Sequence, residues 1–461
     1  MNARRLFPLL FITILLCSCE DKPAAASALT LDKTDIIFGP SGGFDTIKVK
    51  SSGKWIASIL GTETSWLLLQ SEADRIIVTA NPNFDSNDTL RKIQIAVPGV
   101  EKKIVTVRLD RAMAPAQDKT CPRDAVLMYF GTETSTQGVP TVERMLLYTQ
   151  TNEAKPRWFF DGFIMGATDT DSGKTFGSST DPAKIASQED WEERINYHCD
   201  KTLTLLDSAT VLTARNTGVY AHKQKVIFTI PLPNHYAQSW GKINGAPVNM
   251  SSAQGKVSAA KWFIDKAIEK YNAKGFKNLE LVGFYWYHEA LALNSTEHYS
   301  EDMICAVADY IHSKGLDFFW IPYSDIDKYS NARLEKWRSY KIDHVYYQPN
   351  YYFREKLTKD DLIASIRKAH AAGVGMELEM DWKATTMYSG SDRSMYYNKV
   401  VDYIKAYDSL GVWANDNVAY YEYHSVERIA RPAANEAEKA LYALLAKFIG
   451  DRQATYYDIK Y

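Results

Sequence analysis

Residues 279–289 read LELVGFYWYHE, and residues 373–382 read GVGMELEMDW. Both stretches predict β-strands, in which successive side chains point to opposite faces. In the first stretch a glutamate, Glu289, comes last, at the point where the strand leaves its sheet. The second stretch has Met or Leu on one face and four other residues on the opposite face: Gly375, Glu377, Glu379 and Asp381. We therefore expect carboxyl groups from two strands to meet at one end of a barrel.

Paired carboxyl groups beside aromatic residues suggest chemistry on carbohydrates. In glycoside hydrolysis one carboxyl group protonates the leaving oxygen, and the other attacks the anomeric carbon or activates water. We expect Glu289 to be the acid, with a pKa raised by Tyr285, Tyr287 and the neighbouring carboxylates. Glu379 is then the nucleophile or base, and Glu377 either orients it or is its buried partner.

The chain from residue 121 onward alternates helical patterns with apolar strands. Four helical patterns end where a left-handed residue is needed, at Gly275, Gly315, Gly373 and Gly411. A strand is expected within a few residues of each glycine. Further strands are predicted at residues 125–130, 158–165, 225–231 and 344–348. Eight strands favour a (β/α)₈ TIM-like barrel, and no glycine-rich phosphate loop supports a nucleotide-binding fold.

Polar and aromatic residues follow most of these strands, where a barrel carries its binding site. We expect Asp161 and His235 to position the substrate and Asp381 to hydrogen-bond sugar hydroxyls. Aromatic rings suit sugar C–H faces, and the candidates are Tyr285, Tyr287, Trp320, Tyr323 and Trp382. The reserve carboxylates are Asp325, Asp327 and Asp416.

Two alternatives remain open for the acidic residues. Glu289 has a less favoured explanation as a helix-start or surface loop residue, since strand ends are commonly polar. A divalent cation held by Glu377, Glu379 and Asp381 fits the preference of hard cations for oxygen ligands, although acids on one strand rarely surround an ion. We expect no metal and no organic cofactor.

The N-terminus predicts export and lipidation. Arg4 and Arg5 precede an apolar run at residues 6–16 that is too short to cross a bilayer, as in a signal peptide. The following Leu-Cys-Ser-Cys resembles a bacterial lipobox, which implies cleavage before Cys19 and lipidation of its thiol. The acidic pair after Cys19 resembles the export signal of surface lipoproteins in Bacteroidota. We expect a lipid anchor in the outer membrane, with the protein exposed at the cell surface.

Composition narrows the classes of partner. The 461 residues include 54 basic and 56 acidic side chains, a net charge of −2, so the chain has no polybasic signature for nucleic acid. Three cysteines lie beyond the predicted lipobox, at Cys121, Cys199 and Cys305. Their spacing is not that of a zinc site; one disulfide is possible, and none is required.

The chain is predicted to have a small all-β domain before the barrel. Short alternating strands with intervening turns indicate an immunoglobulin-like sandwich. The predicted segments are a signal peptide at 1–18, a tether at 19–29, this sandwich at 30–111, a linker at 112–120 and the barrel at 121–461. Trp55 and Trp66 form either a sugar platform or, as we favour for so small a domain, part of its core.

Both domains resemble known families. Residues 54–55, 65–67, 77–81, 91–95 and 103–107 carry a resemblance of the first domain to the BACON domain, which implies either a glycan-binding module or a spacer. Four stretches carry a resemblance of the second domain to a family catalogued only as domain of unknown function 4855; they are residues 159–163, 282–289, 319–323 and 376–381. This resemblance implies a glycosidase-like barrel. The barrel more distantly resembles retaining glycoside hydrolases, whose acid/base follows strand four and whose nucleophile follows strand seven.

Two functions are compatible with these patterns. The first is a cell-surface glycoside hydrolase that cleaves a complex glycan. The second is a non-catalytic, glycan-binding lipoprotein of a polysaccharide-utilisation system. In both, the partners are a polysaccharide, the membrane through the lipid and the other proteins of a glycan-uptake system. The identity of the glycan depends on loop shape, which the sequence does not specify.

Overall fold

The computed structural model describes residues 28–39, 42–62, 66–81, 83, 88–110, 121–131, 138–166, 169–289, 300–323, 334 and 336–461. The chain divides into two compact units. The first contains the residues up to Ile37 together with Phe44–Ala80 and Leu90–Arg108, and the second contains the remainder, including Leu109–Tyr461. Within the described residues, no helix is long and apolar enough to cross a membrane.

The N-terminal region is all-β. Its strands are β1 (Leu29–Leu31), β2 (Asp35–Phe38), β3 (Gly43–Ser51), β4 (Ile56–Leu60), β5 (Leu67–Ser71), β6 (Arg75–Ala80), β7 (Thr89–Ala96) and β8 (Lys103–Leu109). They form two four-stranded sheets, ordered β1-β3-β6-β5 and β2-β8-β7-β4. Alternate residues such as Ile47, Val78 and Val105 are fully buried, whereas Trp55 and Trp66 are half-buried. The two tryptophans therefore present part of each ring to solvent.

The C-terminal region is a closed barrel of eight parallel strands. In chain order these are β9 (Asp124–Met128), β10 (Gly162–Met165), β11 (Gln224–Ile230), β14 (Leu279–Trp286), β15 (Asp317–Trp320), β16 (His344–Tyr347), β17 (Gly375–Glu379) and β18 (Val418–Tyr421), with a small hairpin, β12 (Gly241–Ile243) and β13 (Ala246–Val248), between the third and fourth. Each strand pairs with the next, and β18 pairs with β9. The predicted barrel is confirmed, and the two motif stretches are its fourth and seventh strands.

Helices surround this barrel. They are α1 (Val142–Thr149), α2 (Gln188–Tyr197), α3 (Leu203–Thr217), α4 (Ala253–Lys274), α5 (Glu301–His312), α6 (Lys359–Ala372), α7 (Arg393–Ser409), α8 (Val412–Asn415), α9 (Ser425–Ile429) and α10 (Glu436–Tyr456). Ser252, Ser300 and Thr358 cap α4, α5 and α6, and Asp392 precedes α7. The four predicted stop glycines all have positive φ, between 61° and 87°.

Two strand predictions are corrected by the structure. The strand expected after Gly411 begins only at Val418, because residues 412–415 form the short helix α8. The strand expected to start at residue 158 begins at Gly162. In both cases apolar residues that pack against the core precede the strand, and burial alone does not distinguish them from strand residues.

A β-bulge in β14 sets which of its side chains face the barrel interior. The pairing with β11 matches Val226 to Leu281 and then Ile227 to Gly283, so that Val282 is an extra residue. Such a bulge re-aims the side chains that follow it. As a result, Val282 and Tyr285 both lie in the interior cluster despite their odd spacing. The bulge thereby directs Tyr285 towards the space inside the barrel.

Candidate active site

A pocket of about 480 Å³ opens at the carboxyl end of the barrel. Its walls come from six strands, through their ends or the loops that follow them, which is where barrel enzymes carry their sites. The lining residues are Leu127, Tyr129, Ile164, Gly166, Ser178, Thr229, Tyr285, Tyr287, His288, Glu289, Tyr323 and Tyr421. Five tyrosines and one carboxyl group therefore dominate its surface. Of the predicted site residues, Glu289, Tyr285, Tyr287 and Tyr323 lie here.

Glu289 is held at the rim by the two loops beside its own. Its carbonyl oxygen accepts a hydrogen bond from the Tyr323 backbone N–H at 3.2 Å, and the Gln348 N–H donates to the Pro322 carbonyl at 3.0 Å. Part of the Glu289 side chain is exposed, but its carboxyl group lines the pocket. Burial there raises the pKa of Glu289, and a hydrogen bond from the Gln348 side chain opposes the rise.

Glu377 lies deeper, on the interior face of β17. Its strand partner is Ala419, whose side chain belongs to the interior cluster. The side chain is only 2% exposed, and none of the described residues hydrogen-bonds its carboxyl group. Burial raises the pKa of Glu377 well above its usual value, and the charges of Glu379 and Glu289 raise it further. Glu377 is thus a buried carboxyl group without a donor, in electrostatic contact with the acid at the rim.

Glu379 is bound by protein groups on both of its oxygens. Oε1 accepts from the Asn350 N–H at 2.8 Å, and Oε2 accepts from the Tyr352 N–H at 3.1 Å and the Tyr403 hydroxyl at 2.5 Å. The left-handed backbone of Asn350, with φ of 57°, aims its N–H at the carboxylate. Burial raises the pKa of Glu379 to about 7 despite these donors, and the residue is fully buried.

The surroundings of the two strand-seven acids therefore differ. Glu377 acts electrostatically on pocket tyrosines, Tyr129, Tyr285 and Tyr421. Both acids act on Tyr403 and Tyr407 of α7, and Glu379 has the larger effect on each. Glu377 is thus the acid that acts on the pocket tyrosines, whereas Glu379, whose pKa is also raised by the charge of Glu289, fixes the loop after β16.

Asp161 does not lie at the pocket. It precedes β10, at the amino end of the barrel, where its carboxylate accepts from the backbone N–H groups of Arg123 and Asp124 and from the Tyr457 hydroxyl, at 2.7 to 2.8 Å. The expectation that it positions substrate is wrong because β10 begins after this residue rather than before it. Asp416 likewise precedes its strand, β18.

Trp320 also lies outside the pocket. Its side chain is fully buried in the cluster between the barrel and the helices, and its indole N–H donates to the His288 carbonyl at 3.0 Å. Trp320 supports the loop that carries Glu289 rather than binding substrate. The physical reason is strand alternation, which turns Trp320 outwards and Phe319 inwards.

Three predicted residues lie at the correct end of the barrel without lining this pocket. His235 is half-buried in the loop after β11, with its ring edge-on to Tyr236. Asp381 accepts from the Tyr352 hydroxyl at 2.9 Å and from the Lys383 N–H at 2.7 Å. Trp382 is 36% exposed and contacts Tyr388 edge-on. Cys19, Asp325 and Asp327 lie outside the described residues.

Tyr129 and Tyr421 are pocket residues that the sequence interpretation missed. They end the first and last strands of the barrel and contact each other edge-on, with ring centroids 5.8 Å apart. The sequence signal is the run Val-Ala-Tyr-Tyr at 418–421, which places Tyr421 at a strand end once β18 is located correctly.

A buried charged cluster supports this pair of tyrosines. The His424 ring hydrogen-bonds the Tyr129 carbonyl at 2.8 Å and Glu427 at 2.9 Å, and Arg144 donates to Glu427 at 2.7 Å. Burial opposes ionisation of Glu427, but the bonds from His424 and Arg144 lower its pKa to about 2. The cluster therefore joins the loops after β9 and β18 through a charged pair.

The described residues offer no metal centre: no group of three His, Cys, Asp or Glu side chains among them is arranged to hold an ion. For the predicted acidic set, the oxygens of Glu379 and one oxygen of Asp381 already accept hydrogen bonds. Because these oxygens already accept hydrogen bonds, Glu379 and Asp381 are not free to bind a cation together with Glu377. The arrangement suits proton transfer between carboxyl groups rather than cation binding.

Comparison with known proteins assigns the family. Residues 124–447 match the model of the domain of unknown function DUF4855, and the chain belongs to this family. It is also 33% identical over 103 residues to the uncharacterized protein MJ0957 of Methanocaldococcus jannaschii. That match covers 21% of this chain and 27% of the relative, so the chain spans about a quarter of the length of this curated protein.

Solved structures that resemble the chain include glycoside hydrolase barrels. A Bacteroides ovatus GH5 xyloglucanase in complex with a XXXG heptasaccharide is 13% identical, with a TM-score of 0.31, over 92% of this chain and 100% of that one. An intracellular xylanase from Thermoanaerobacterium saccharolyticum, in complex with xylotetraose, is 13% identical, with a TM-score of 0.36, over 65% of this chain and 84% of that one.

Proposed function

We propose that the barrel is a glycoside hydrolase in which Glu289 and Glu377 act as the two carboxyl groups. The observation that carries this proposal is their arrangement: Glu289 lines the mouth of a tyrosine-walled pocket, and Glu377 lies buried beneath it, in electrostatic contact with Glu289. Hydrolysis of a glycosidic bond requires one carboxyl group to donate a proton and a second to attack or to activate water.

Position within the pocket distinguishes the two roles. The leaving group departs through the open end, so the rim residue Glu289 protonates the glycosidic oxygen and recovers its proton from solvent. Glu377, on the interior face of β17, faces the anomeric carbon of a sugar held in the pocket. Burial raises the pKa of Glu289, and a raised pKa keeps a carboxyl group protonated and able to act as the acid.

Glu379 is a positioning residue in this mechanism. Its oxygens accept hydrogen bonds from Asn350, Tyr352 and Tyr403, which hold the carboxylate against the loop after β16 and against α7. Its charge raises the pKa of Glu377. The raised pKa of Glu377 favours a proton there at rest, so the active form, with a proton on Glu289 and with Glu377 ionised, is a minor protonation state of the coupled carboxyl groups.

The pocket surface supports a glycan as the substrate class. Tyr129, Tyr285, Tyr287 and Tyr421 supply rings for sugar C–H faces and hydroxyls for sugar oxygens. The Thr229 hydroxyl in the wall is buried and makes no hydrogen bond to a described residue, so a substrate hydroxyl gains a partner there. A binding protein that never turns over its glycan remains the alternative that the experiment below separates.

The location of the protein is part of the same proposal and rests on its sequence alone. A lipid on Cys19 would hold the chain on the outer membrane, with the N-terminal β-domain as a BACON-like spacer between anchor and barrel. Half-exposed Trp55 and Trp66 also give this domain a surface on which a glycan could bind. Radiolabelled palmitate incorporation that disappears in Cys19→Ala tests the anchor.

The test of function is a glycan digestion screen with product analysis, run on the chain and on its Glu289→Gln, Glu377→Gln and Glu379→Gln variants. Loss of either catalytic carboxyl group is expected to lower kcat by about 10²-fold or more. A substrate with a good leaving group needs little protonation, so it should restore turnover to Glu289→Gln and not to Glu377→Gln.

Glu379→Gln is the matched control, since it makes the same change one pleat away. It is expected to retain measurable turnover with a displaced pH optimum. Full activity in Glu377→Gln together with complete loss in Glu379→Gln would transfer the nucleophile to Glu379. Tight glycan binding without any product from the unmodified chain would contradict the hydrolase and establish the binding protein.

A further inference from the structure

A second pocket, of about 470 Å³, lies at the amino end of the barrel, opposite the candidate active site. It is formed by residues at the starts of β16, β17 and β18 and by Cys121, which precedes β9. Cys121 is half-buried in the wall of this pocket. The same wall contains His344, Tyr346 and Asn417. The pocket therefore exposes a thiol beside an imidazole ring, at a place that the proposed glycan chemistry does not use.

His344 connects the thiol to a carboxylate. Its Nε2 atom lies 2.9 Å from Oδ2 of Asp317, and the ring shares the pocket wall with Cys121, which raises the pKa of His344. Cysteine, histidine and aspartate thus form a continuous chain of contacts. In this order an imidazole removes the thiol proton, and a carboxylate stabilises the resulting imidazolium.

Asn417 supplies a donor to the sulfur from the other side. Its Nδ2 atom lies 2.9 Å from Sγ of Cys121, and its Oδ1 atom accepts from Nη1 of Arg123 at 3.5 Å. The guanidinium group has only donors, so it orients the amide with its oxygen towards Arg123 and its NH₂ group towards the sulfur. This contact places an N–H donor against the sulfur.

We propose that Cys121 is a nucleophilic thiolate site that forms a mixed disulfide with a low-molecular-weight disulfide in the amino-end pocket. The Cys121 thiolate attacks one sulfur of the small disulfide. The new Cys121–S bond forms as the S–S bond of the small disulfide breaks, and the second half leaves as a thiolate. No external oxidant is needed, because the small disulfide is the species that is reduced.

Charge and burial support the same assignment. Burial lowers the pKa of His344, but hydrogen bonds to Asp317 and Cys121 outweigh it and raise the pKa to about 10. The imidazole is therefore a cation at neutral pH, beside the sulfur. The other described cysteines have lysines rather than a histidine nearby, and burial outweighs these charges: it raises the pKa of Cys199 to about 12 and also raises the pKa of Cys305.

The test measures the alkylation rate of each cysteine by iodoacetamide in the purified full-length chain at neutral pH, followed by peptide mass spectrometry. Cys121 is expected to react about tenfold faster than Cys305, which is also half-buried and serves as the internal reference. Incubation with glutathione disulfide is expected to add one glutathione at Cys121 before any other described cysteine.

Two variants attribute the reactivity to the contacts. His344→Asn should slow alkylation of Cys121 to about the rate of Cys305, and Asp317→Asn, which preserves side-chain shape, should slow it by about threefold or more. Thiolate ultraviolet absorbance should fall in both variants. If Cys121 of the folded parent reacts no faster than Cys305, or if folded Asp317→Asn leaves both the rate and the absorbance unchanged, the proposal is overturned.

Discussion

At the scale of single residues, the candidate site holds buried carboxyl groups whose mutual repulsion and desolvation are unfavourable. Glu377 is 2% exposed, receives no hydrogen bond from a described residue and lies near two further carboxyl groups. Moving a charge from water to a buried site without a partner raises its free energy, by roughly several kcal/mol. Folding stability is therefore reduced at the position that the proposed chemistry needs, as is common where activity and stability compete.

Replacing Glu377 by Gln is expected to stabilise the fold while it abolishes turnover. The folded-state pKa of Glu377 lies above its unfolded value, so the parent chain is most stable below the unfolded pKa and loses that stability as the pH rises towards the folded pKa. Gln does not titrate. The gain should be about 1–2 kcal/mol at neutral pH and smaller at acidic pH, measured by chemical unfolding at both.

The control for this measurement is Glu436→Gln, the same chemical change on a side chain that is 91% exposed. It should alter the free energy of unfolding by less than about 0.5 kcal/mol at either pH. A Glu377→Gln variant that is less stable than the parent at neutral pH would show that its carboxyl group has a stabilising partner.

At the scale of elements, glycines inside strands allow the barrel to close tightly around the site. A Cβ atom on Gly283 would lie 2.1 Å from the carbonyl oxygen of Asp317, and one on Gly375 would lie 2.3 Å from that of Asn417. Both obstacles are backbone atoms of the neighbouring strand or its approach. Because Gly283 follows the bulged residue Val282, it permits the close contact between β14 and β15 that places Glu289 beside Tyr323.

Gly283→Ala is accordingly expected to destabilise the barrel by about 3 kcal/mol or more, since a backbone carbonyl cannot move aside as a flexible side chain does. Gly315→Asn, in the turn before β15, is the comparison. Gly315 has a φ of 72° and open space around its Cβ position, and Asn tolerates this conformation. Thermal unfolding of both variants decides the point: similar midpoints would refute the steric explanation.

The sequence predicted elements better than it predicted contacts. Stop glycines and capping residues are local signals, so the helix ends and most of the barrel strands follow from short stretches of chain. The side on which Glu377 and Glu379 emerge also follows from alternation. Their different surroundings do not, because the donors to Glu379 come from Asn350, Tyr352 and Tyr403, which are distant in sequence.

Strand ends were the weaker part of the prediction. Asp161 was assigned to the active end because the apolar residues 158–160 resemble the body of a strand, although they pack before β10 begins. Tyr421 was missed because α8 intervenes between Gly411 and β18. Whether a given residue lies at the barrel mouth depends on the register of its strand, and the register is determined by pairing with the neighbouring strand.

At the scale of the whole molecule, the barrel is closed by a buried ion pair from the C-terminal helix. Arg452 in α10 has a fully buried side chain and donates from Nε to Asp124 Oδ1 at 2.7 Å. Its remaining nitrogens donate to the carbonyl oxygens of Arg123, Val412, Trp413 and Asp416. This residue therefore joins the first strand, the last helix and the segment before the last strand at the closure of the barrel.

Arg452→Met is expected to destabilise the fold by about 3–5 kcal/mol, because it leaves Asp124 as a buried charge without its partner. Lys447 on the same helix forms an ion pair with Asp451, and the lysine side chain is 75% exposed. The change Lys447→Met removes this pair. That variant should cost at most about 1 kcal/mol. Denaturant unfolding of the two proteins should separate them clearly; equal losses would mean that the buried pair does not hold the barrel closed.

We expect the charge of the barrel mouth to select among glycans before hydrolysis begins. Its described lining contains a carboxyl group and no lysine or arginine, and two further carboxyl groups lie beneath it. Polysaccharides rich in uronic acid or sulfate would meet repulsion from these groups, and the described cation nearest the lining, Arg354, is engaged by the Tyr323 hydroxyl. Neutral chains would meet mainly the rings and hydroxyls of the described lining. The carboxyl groups that make hydrolysis feasible would thus restrict the substrates of the protein to uncharged glycans.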